Sequence, residues 1–337
     1  MNILLTCAGR RNYLVHYFKE VLGKHGNVLA VDASPDAPAL QEADQAFVLP
    51  RIDAPDYIET LLDLCQEKKI NLLLSLNDLE LPYLSANLSR FLAVSTIPVV
   101  SSSSVINTCF DKWLTCETLR SLGLKVPKTY LTFNAALYAL ESRDLHFPLV
   151  VKPRWGSASI GIMYPEDTEE LQWAYHLSYR QVARSMLAGP SSNDPEHSIM
   201  IQEKAVGVEY GLDIINDLQG RYLTTFVKRK LSMRAGETDR AVTEYKPDLI
   251  AIGETIGRAL NHIGNMDCDI IVTNEGPMIL ELNPRFGGGY PFSHIAGANL
   301  PAALIAWVLE EPVNPDWLTI TYGVTAAKCD RLVLKTI

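Results

Sequence analysis

The sequence predicts a fold class that joins α/β to α+β: an N-terminal parallel-sheet domain, then a region of two lobes. Three observations predict it. Residues 1–105 alternate short apolar runs with amphipathic helical stretches. After Val126 single strands are separated by glycine- and serine-rich loops. The last third holds paired strand patterns around one long helix. The expected units are 1–105, 106–205 and 206–337, with a linking helix at 106–122 opening the second.

In the first unit "NILLTCA" ends at Gly9 and reads as a strand. "NYLVHYFKEVL" sets apolar residues at helical spacing. "NVLAVDA" is the next strand, "APDYIETLLDLCQEKK" a second helix and "INLLLSL" a third strand. Near-continuous apolar strands alternating with helices imply a parallel sheet covered on both faces. "IPVVSSSS" supplies a last strand and a polar break near residue 103. The second unit reads as strand "FPLVVKP", loop "RWGSASIG", a helix at about 167–186, loop "LAGPSSNDPEHS" and strand "IMIQEKAV". In the third, "EYGLDIIND" and "RYLTTFVKRKLSM" are strands joined by a turn at Leu218–Gly220, followed by a helix at 248–263. "DCDIIVT" and "PMILELN" then form a hairpin.

Composition narrows the classes. A hydrophobic share of 47%, a charged share of 20% and a net charge of −9 describe a soluble globular protein. The acidic balance and scattered aromatics argue against a nucleic-acid partner. No window reaches the ~18 apolar residues of a membrane span, and "MNILLTCAG" lacks the basic start of a signal peptide, so a cytoplasmic protein without a membrane partner is expected. The six cysteines form no C-x-x-C and read as reduced thiols.

The hairpin carries the chemistry. With "NEG" as a three-residue loop ending at Gly276, residue 273 faces 277 and Asp269 faces Glu281. Opposed carboxylates have Cβ atoms about 5 Å apart and repel, unless a cation lies between them or one is protonated. Asn283 adds a neutral oxygen on the same face, and Arg285 continues it. Leu280 and Leu282 point the other way, into a core. All-oxygen ligands suit Mg²⁺, and a guanidinium suits a phosphate or oxyanion. A solvated strand face would show the same spacing. In "FPLVVKPRWGSASIGI" an apolar strand delivers Lys152, and Gly156, Ser157, Ser159 and Gly161 make a loop whose backbone can approach phosphate oxygens. It is not a Walker A loop, because no G-K-[ST] opens a helix there. In "IMIQEKAVGVEYGLD", Glu203 to Val206 can offer backbone groups to a flat heterocycle and Glu209 can meet ribose hydroxyls. "FVKRKLSMR" sets Lys228 and Lys230 on one strand face, opposite Arg229.

Taken in order, Lys112, Lys152, "GSASIG", "EKAV…E" and "D…ELNPR" resemble the ATP-grasp superfamily over essentially the whole chain. The likeness is nearest to relatives of the carbamoyl-phosphate synthetase large subunit and of amino-acid ligases. The resemblance implies a pre-ATP-grasp domain followed by the two-lobed ATP-grasp fold. It implies that Lys112 and Lys152 touch the phosphates of ATP and that Gly156 to Gly161 form a flap over them. Glu203 and Val206 would bind adenine through their backbone, and Glu209 the ribose. Asp269, Glu281 and Asn283 would hold two Mg²⁺ ions, for which Mn²⁺ can stand in; many relatives carry Glu where Asp269 stands. Lys228, Lys230 and Arg285 would act on the reacting groups, with Arg285 steadying an acyl phosphate. Arg234, Arg240 and His294 become candidate substrate contacts, and 290–301 would cap the site.

The implied activity is an ATP-dependent ligase: a carboxylate, as of an amino acid, becomes an acyl phosphate and is captured by an amine. Many relatives dimerise. Rival readings are a bicarbonate-activating carboxylase or carbamoyl-type enzyme, and a nucleotide-binding regulator without turnover. A nicotinamide site would use Asp32, 23 residues after Gly9, but the G-x-G-x-x-G fingerprint is missing.

Overall fold

The computed structural model describes residues 1–156 and 160–335. Strands β1 (Asn2–Thr6), β2 (Asn27–Asp32), β3 (Gln45–Val48), β4 (Leu72–Ser75) and β5 (Ile97–Pro98) form a parallel sheet in the order β3-β2-β1-β4-β5. The central strands are buried on both faces, as their apolar runs predict. β3 is not expected from the sequence pattern: it is an edge strand of four residues, and its short apolar stretch is largely exposed.

The second sheet is small and antiparallel, with β6 (Thr129–Tyr130), β7 (Leu149–Pro153) and β8 (Ile199–Glu203) in the order β6-β8-β7. Leu149, Val151 and Ile201 pack there against Ala136, Leu171 and Val182 of two helices. The third sheet holds β9 (Val208–Asn216), β10 (Tyr222–Arg234), β11 (Glu237–Thr243), β12 (Gly264–Thr273), β13 (Gly276–Asn283) and β14 (Thr325–Ala327), antiparallel in the order β13-β12-β9-β10-β11-β14. Helix Pro247–Leu260 covers one face through Leu249 and Ile256.

Two expectations change here. The linking helix is two helices, Ser103–Phe110 and Lys112–Ser121, broken at Asp111. The Asp111 carboxylate accepts from the N–H groups of Trp113 and Leu114 and starts the second helix. Val105, Cys109 and Leu119 of this pair pack into the core of the third sheet. The segment 290–301 does not cap the site. Its helix Tyr290–Ile295 buries Tyr290 in one core with Leu5, Leu14 and Phe18 of the first unit. Leu300 and Leu304 join them from helix Leu300–Val308. The N-terminal sheet and the last lobe therefore share a hydrophobic core, which fixes the cleft between them.

Candidate active site

The β12–β13 hairpin sets Asp269 directly opposite Glu281, as the spacing predicts, but by a different route. Thr273 pairs with Gly276, so the turn is Asn274–Glu275 alone and Gly276 belongs to the strand. The register slips between Ile270↔Ile279 and Asp269↔Glu281, leaving Leu280 as an extra residue. That bulge restores the predicted pairing. It also turns Ile279, not Leu280, into the core beside Leu282.

A cavity of about 350 Å³ opens over this face. Lys112, Lys152 and Gly156 come to it from one side, Asp269, Glu281, Asn283 and Arg285 from the hairpin, and Arg11 and Asp78 from the first sheet's loops. Lys112 Nζ donates to the Gly156 carbonyl at 2.6 Å and lies 3.6 Å from Glu281 Oε2. Lys230 Nζ sits between Asp269 Oδ1 at 2.8 Å and Glu209 Oε1 at 2.7 Å. Arg285 is clamped by Asp78 at 2.7 Å and Asp267 at 3.2 Å. Among the described residues Asp78 Oδ1 and Arg285 Nε are buried without a protein partner, leaving polar capacity for a ligand.

The electrostatics follow from this packing. Burial pushes Asp269 up to about 7 despite Lys230, with Asp267 and Glu281 adding repulsion. Burial also acts to raise Glu281, but Lys112 and Lys152 outweigh it and hold it at about 2. Burial and the neighbouring Lys112 bring Lys152 down to about 8. The repulsion expected between the two carboxylates is thus offset by separate lysines, Lys230 beside Asp269 and Lys112 with Lys152 beside Glu281. Two carboxylates and an amide, with Asn283 Nδ2 donating to Glu281 Oε1 at 3.3 Å, make an all-oxygen set. It has few protein ligands and room for phosphate and water, which fits Mg²⁺.

Other expected residues lie elsewhere. Lys228 does not reach the cavity: it is sealed under Gly289 in an ion pair with Asp213, at 2.5 Å. Glu203 and Val206 do not line this cavity, and Val206 is exposed. Glu209 is engaged by Lys230. Gly161 turns the chain with φ +72°, whereas Ser157 and Ser159 lie outside the described residues. Arg234 pairs with Asp239 and Asp330 on the surface, and Arg240 is exposed on β11. His294 stacks on Tyr17, with centroids 3.6 Å apart, and burial lowers it to about 4. In place of these three, Arg11, Asp78, Glu237 and Thr238 line that end of the cavity. Arg11 and Asp78 follow β1 and β4, and position at the carboxyl ends of parallel strands is the signal that could have found them.

The three glycines run against side chains. A Cβ on Gly287 would lie 2.2 Å from the Asp267 carboxylate, and one on Gly289 would lie 2.6 Å from Lys228 Cε. Gly287→Ala must therefore displace the residue that holds Arg285. It is expected to lose about 1–3 kcal/mol of stability. Gly288→Ala, whose Cβ meets Glu237 at 3.1 Å, is expected to lose less. Thermal unfolding of the two variants checks this; equal melting points would contradict the contact.

Residues 196–331 match the family described as ATP-grasp in the biosynthetic pathway with Ter operon. That match places an ATP-grasp domain over these residues, and the fold of the chain agrees with it. Its first unit, residues 3–100, matches the PylC-like N-terminal domain. Among solved structures it resembles the biotin carboxylase domain dimer of Hydrogenobacter thermophilus 2-oxoglutarate carboxylase, in complex with MgADP, ADP and bicarbonate. The TM-score there is 0.73 at 15% identity, over 96% of this chain and 73% of that one. L-amino acid ligase from Bacillus licheniformis aligns with TM-score 0.65 at 17% identity, over 95% and 77% of the two chains. N5-carboxyaminoimidazole ribonucleotide synthetase from Thermotoga maritima gives 0.65 at 16%, over 93% and 77%. At these identities the likeness is one of fold. Among the described residues no helix is long and apolar enough to cross a membrane.

Proposed function

We propose that the protein is an ATP-dependent carboxylate–amine ligase whose carboxylate belongs to an amino acid or a similar small acid. One observation carries the reading: a single cavity gathers Lys112 and Lys152, the Asp269–Glu281 pair and the clamped Arg285. Cations for phosphates, an acid pair for a metal and a fixed guanidinium are what acyl-phosphate chemistry needs, and no side-chain nucleophile is required.

In this reading Lys112 and Lys152 bind the nucleotide phosphates. Asp269, Glu281 and Asn283 would hold Mg²⁺, which neutralises phosphate charge when bound. A carboxylate oxygen attacks the γ-phosphorus, the bond to ADP breaks, and an acyl phosphate forms. The amine nitrogen then attacks the acyl carbon, phosphate leaves, and the amine gives up a proton. Arg285 faces the charge that develops in both steps. Asp78 and Asp267 each hold one of its terminal nitrogens.

A coupled ADP-release screen of amino acids, singly and in pairs and against bicarbonate, tests the reading. Release that needs a carboxylate and an amine together is expected; release with bicarbonate alone would select the carboxylase reading. Lys152→Ala is expected to raise the apparent KM for ATP, and an unchanged KM would remove Lys152 from the phosphate site. The pH profile carries a sign. The ammonium form binds phosphate, and the Lys152 pKa is lowered to about 8. kcat/KM for ATP should therefore fall above that pH, to roughly a tenth at one unit beyond it.

A further inference from the structure

We propose that a second cavity, outside the reaction site, binds an uncharged ribonucleoside. It has a volume of about 1070 Å³, some three times the 350 Å³ of the reaction cavity. Its floor is built at the carboxyl ends of the first four strands: Cys7 and Gly9 after β1, Asp32 ending β2, Leu49 to Asp53 after β3, and Asn77 after β4. The floor lies on both sides of the point between β1 and β4 where the strand order reverses. Open α/β sheets bind ligands at that point. Trp155 and residues from the 185–193 segment close the cavity from the second unit. Lys112, Lys152, Asp269 and Glu281 take no part in it, so the proposed reaction leaves it unused.

Its chemistry selects the ligand. Asp32 Oδ2 accepts from the Gly9 N–H and Oδ1 from the Ser34 N–H, both at 2.9 Å. No lysine, arginine or histidine pairs with Asp32 among the described residues. Two oriented carboxylate oxygens with lone pairs to spare suit two adjacent hydroxyls. Tyr57 donates its hydroxyl to Glu80 at 2.6 Å, and that fully buried carboxylate also accepts from Thr6 and Ser75. The network fixes the Tyr57 ring as a wall. With Tyr83, Phe110 and Trp155 it gives aromatic surface for a flat base. Phosphate is disfavoured: Arg51 is engaged by Asp53, and the β1 loop has the lone Gly9 in place of a pyrophosphate-binding fingerprint. Burial and Glu80 push the Cys7 thiol up, so it stays protonated beside the ligand.

Equilibrium dialysis of the full chain tests this, with the reaction site first filled by Mg·ADP. Adenosine is expected to bind once per chain. 2′-Deoxyadenosine should bind at least about tenfold more weakly, the loss of a hydrogen bond to a charged partner. Asp32→Asn should weaken adenosine to a similar degree. Tyr83→Ala, at a side chain exposed enough to leave folding intact, should weaken it too, with ADP release unchanged. No adenosine binding at millimolar concentration would overturn the proposal. So would equal binding of the ribo and deoxy forms, or tighter binding of AMP than of adenosine. If Mg·ADP itself does not bind, the reaction-site reading fails separately, and the dialysis is run without it.

Discussion

Glu281→Ala is expected to abolish ATP turnover, with a loss of at least about a thousandfold, because a metal site supplies several kcal/mol of charge stabilisation. Glu281 faces Asp269 across the hairpin, lies 3.6 Å from Lys112 and is hydrogen-bonded by Asn283. Without it the metal set shrinks to one carboxylate and one amide, too few to hold two ions. Lys112 also loses its counter-charge. ADP release measured with each amino-acid pair that turns over in the parent protein checks this, and near-normal turnover would remove the hairpin from metal binding.

Arg285→Ala is expected to cost both stability and activity. Its guanidinium is buried between Asp78, 207 residues earlier, and Asp267. Removing one member of a buried ionic group leaves carboxylates unpaired, at about 3–5 kcal/mol. Turnover should fall about 100- to 1000-fold, as when one oriented donor to a developing anion is lost. The two effects separate in the double variant Arg285→Ala with Asp78→Ala. Removing the stranded carboxylate should recover part of the melting temperature and none of the activity. Recovery of turnover would make Arg285 a structural residue only.

Much of this arrangement is legible in the sequence, for particular reasons. The period-two run "ELN" opposite "DCD" reports its own facing pair, since strand side chains alternate strictly. The pattern makes the turn one residue too long, yet the bulge at Leu280 cancels the error at the site. Period two also puts Lys228 and Lys230 on one face, which is correct. It cannot reveal that the glycine run covers Lys228 and leaves Lys230 open to the cavity. β3 and β14 escape notice because edge strands of four and three residues are too short to show a periodicity. Asp78, Glu237 and Arg11 are hidden for another reason. They reach the cavity from separate elements far apart in sequence, and no local pattern links them. Arg234 and Arg240 show the converse: once the segment folds as β10 and β11, Arg234 is spent on surface ion pairs and Arg240 is exposed.

The central claim is that a carboxylate oxygen attacks the γ-phosphate of ATP. Transfer of label tests it most directly. The carboxylate that drives ADP release fastest is prepared with ¹⁸O in both oxygens and turned over with its amine and Mg·ATP. Mass spectrometry of the released phosphate should then find one ¹⁸O per ADP formed. Phosphate without ¹⁸O, released while the product keeps both labelled oxygens, would contradict the acyl-phosphate route.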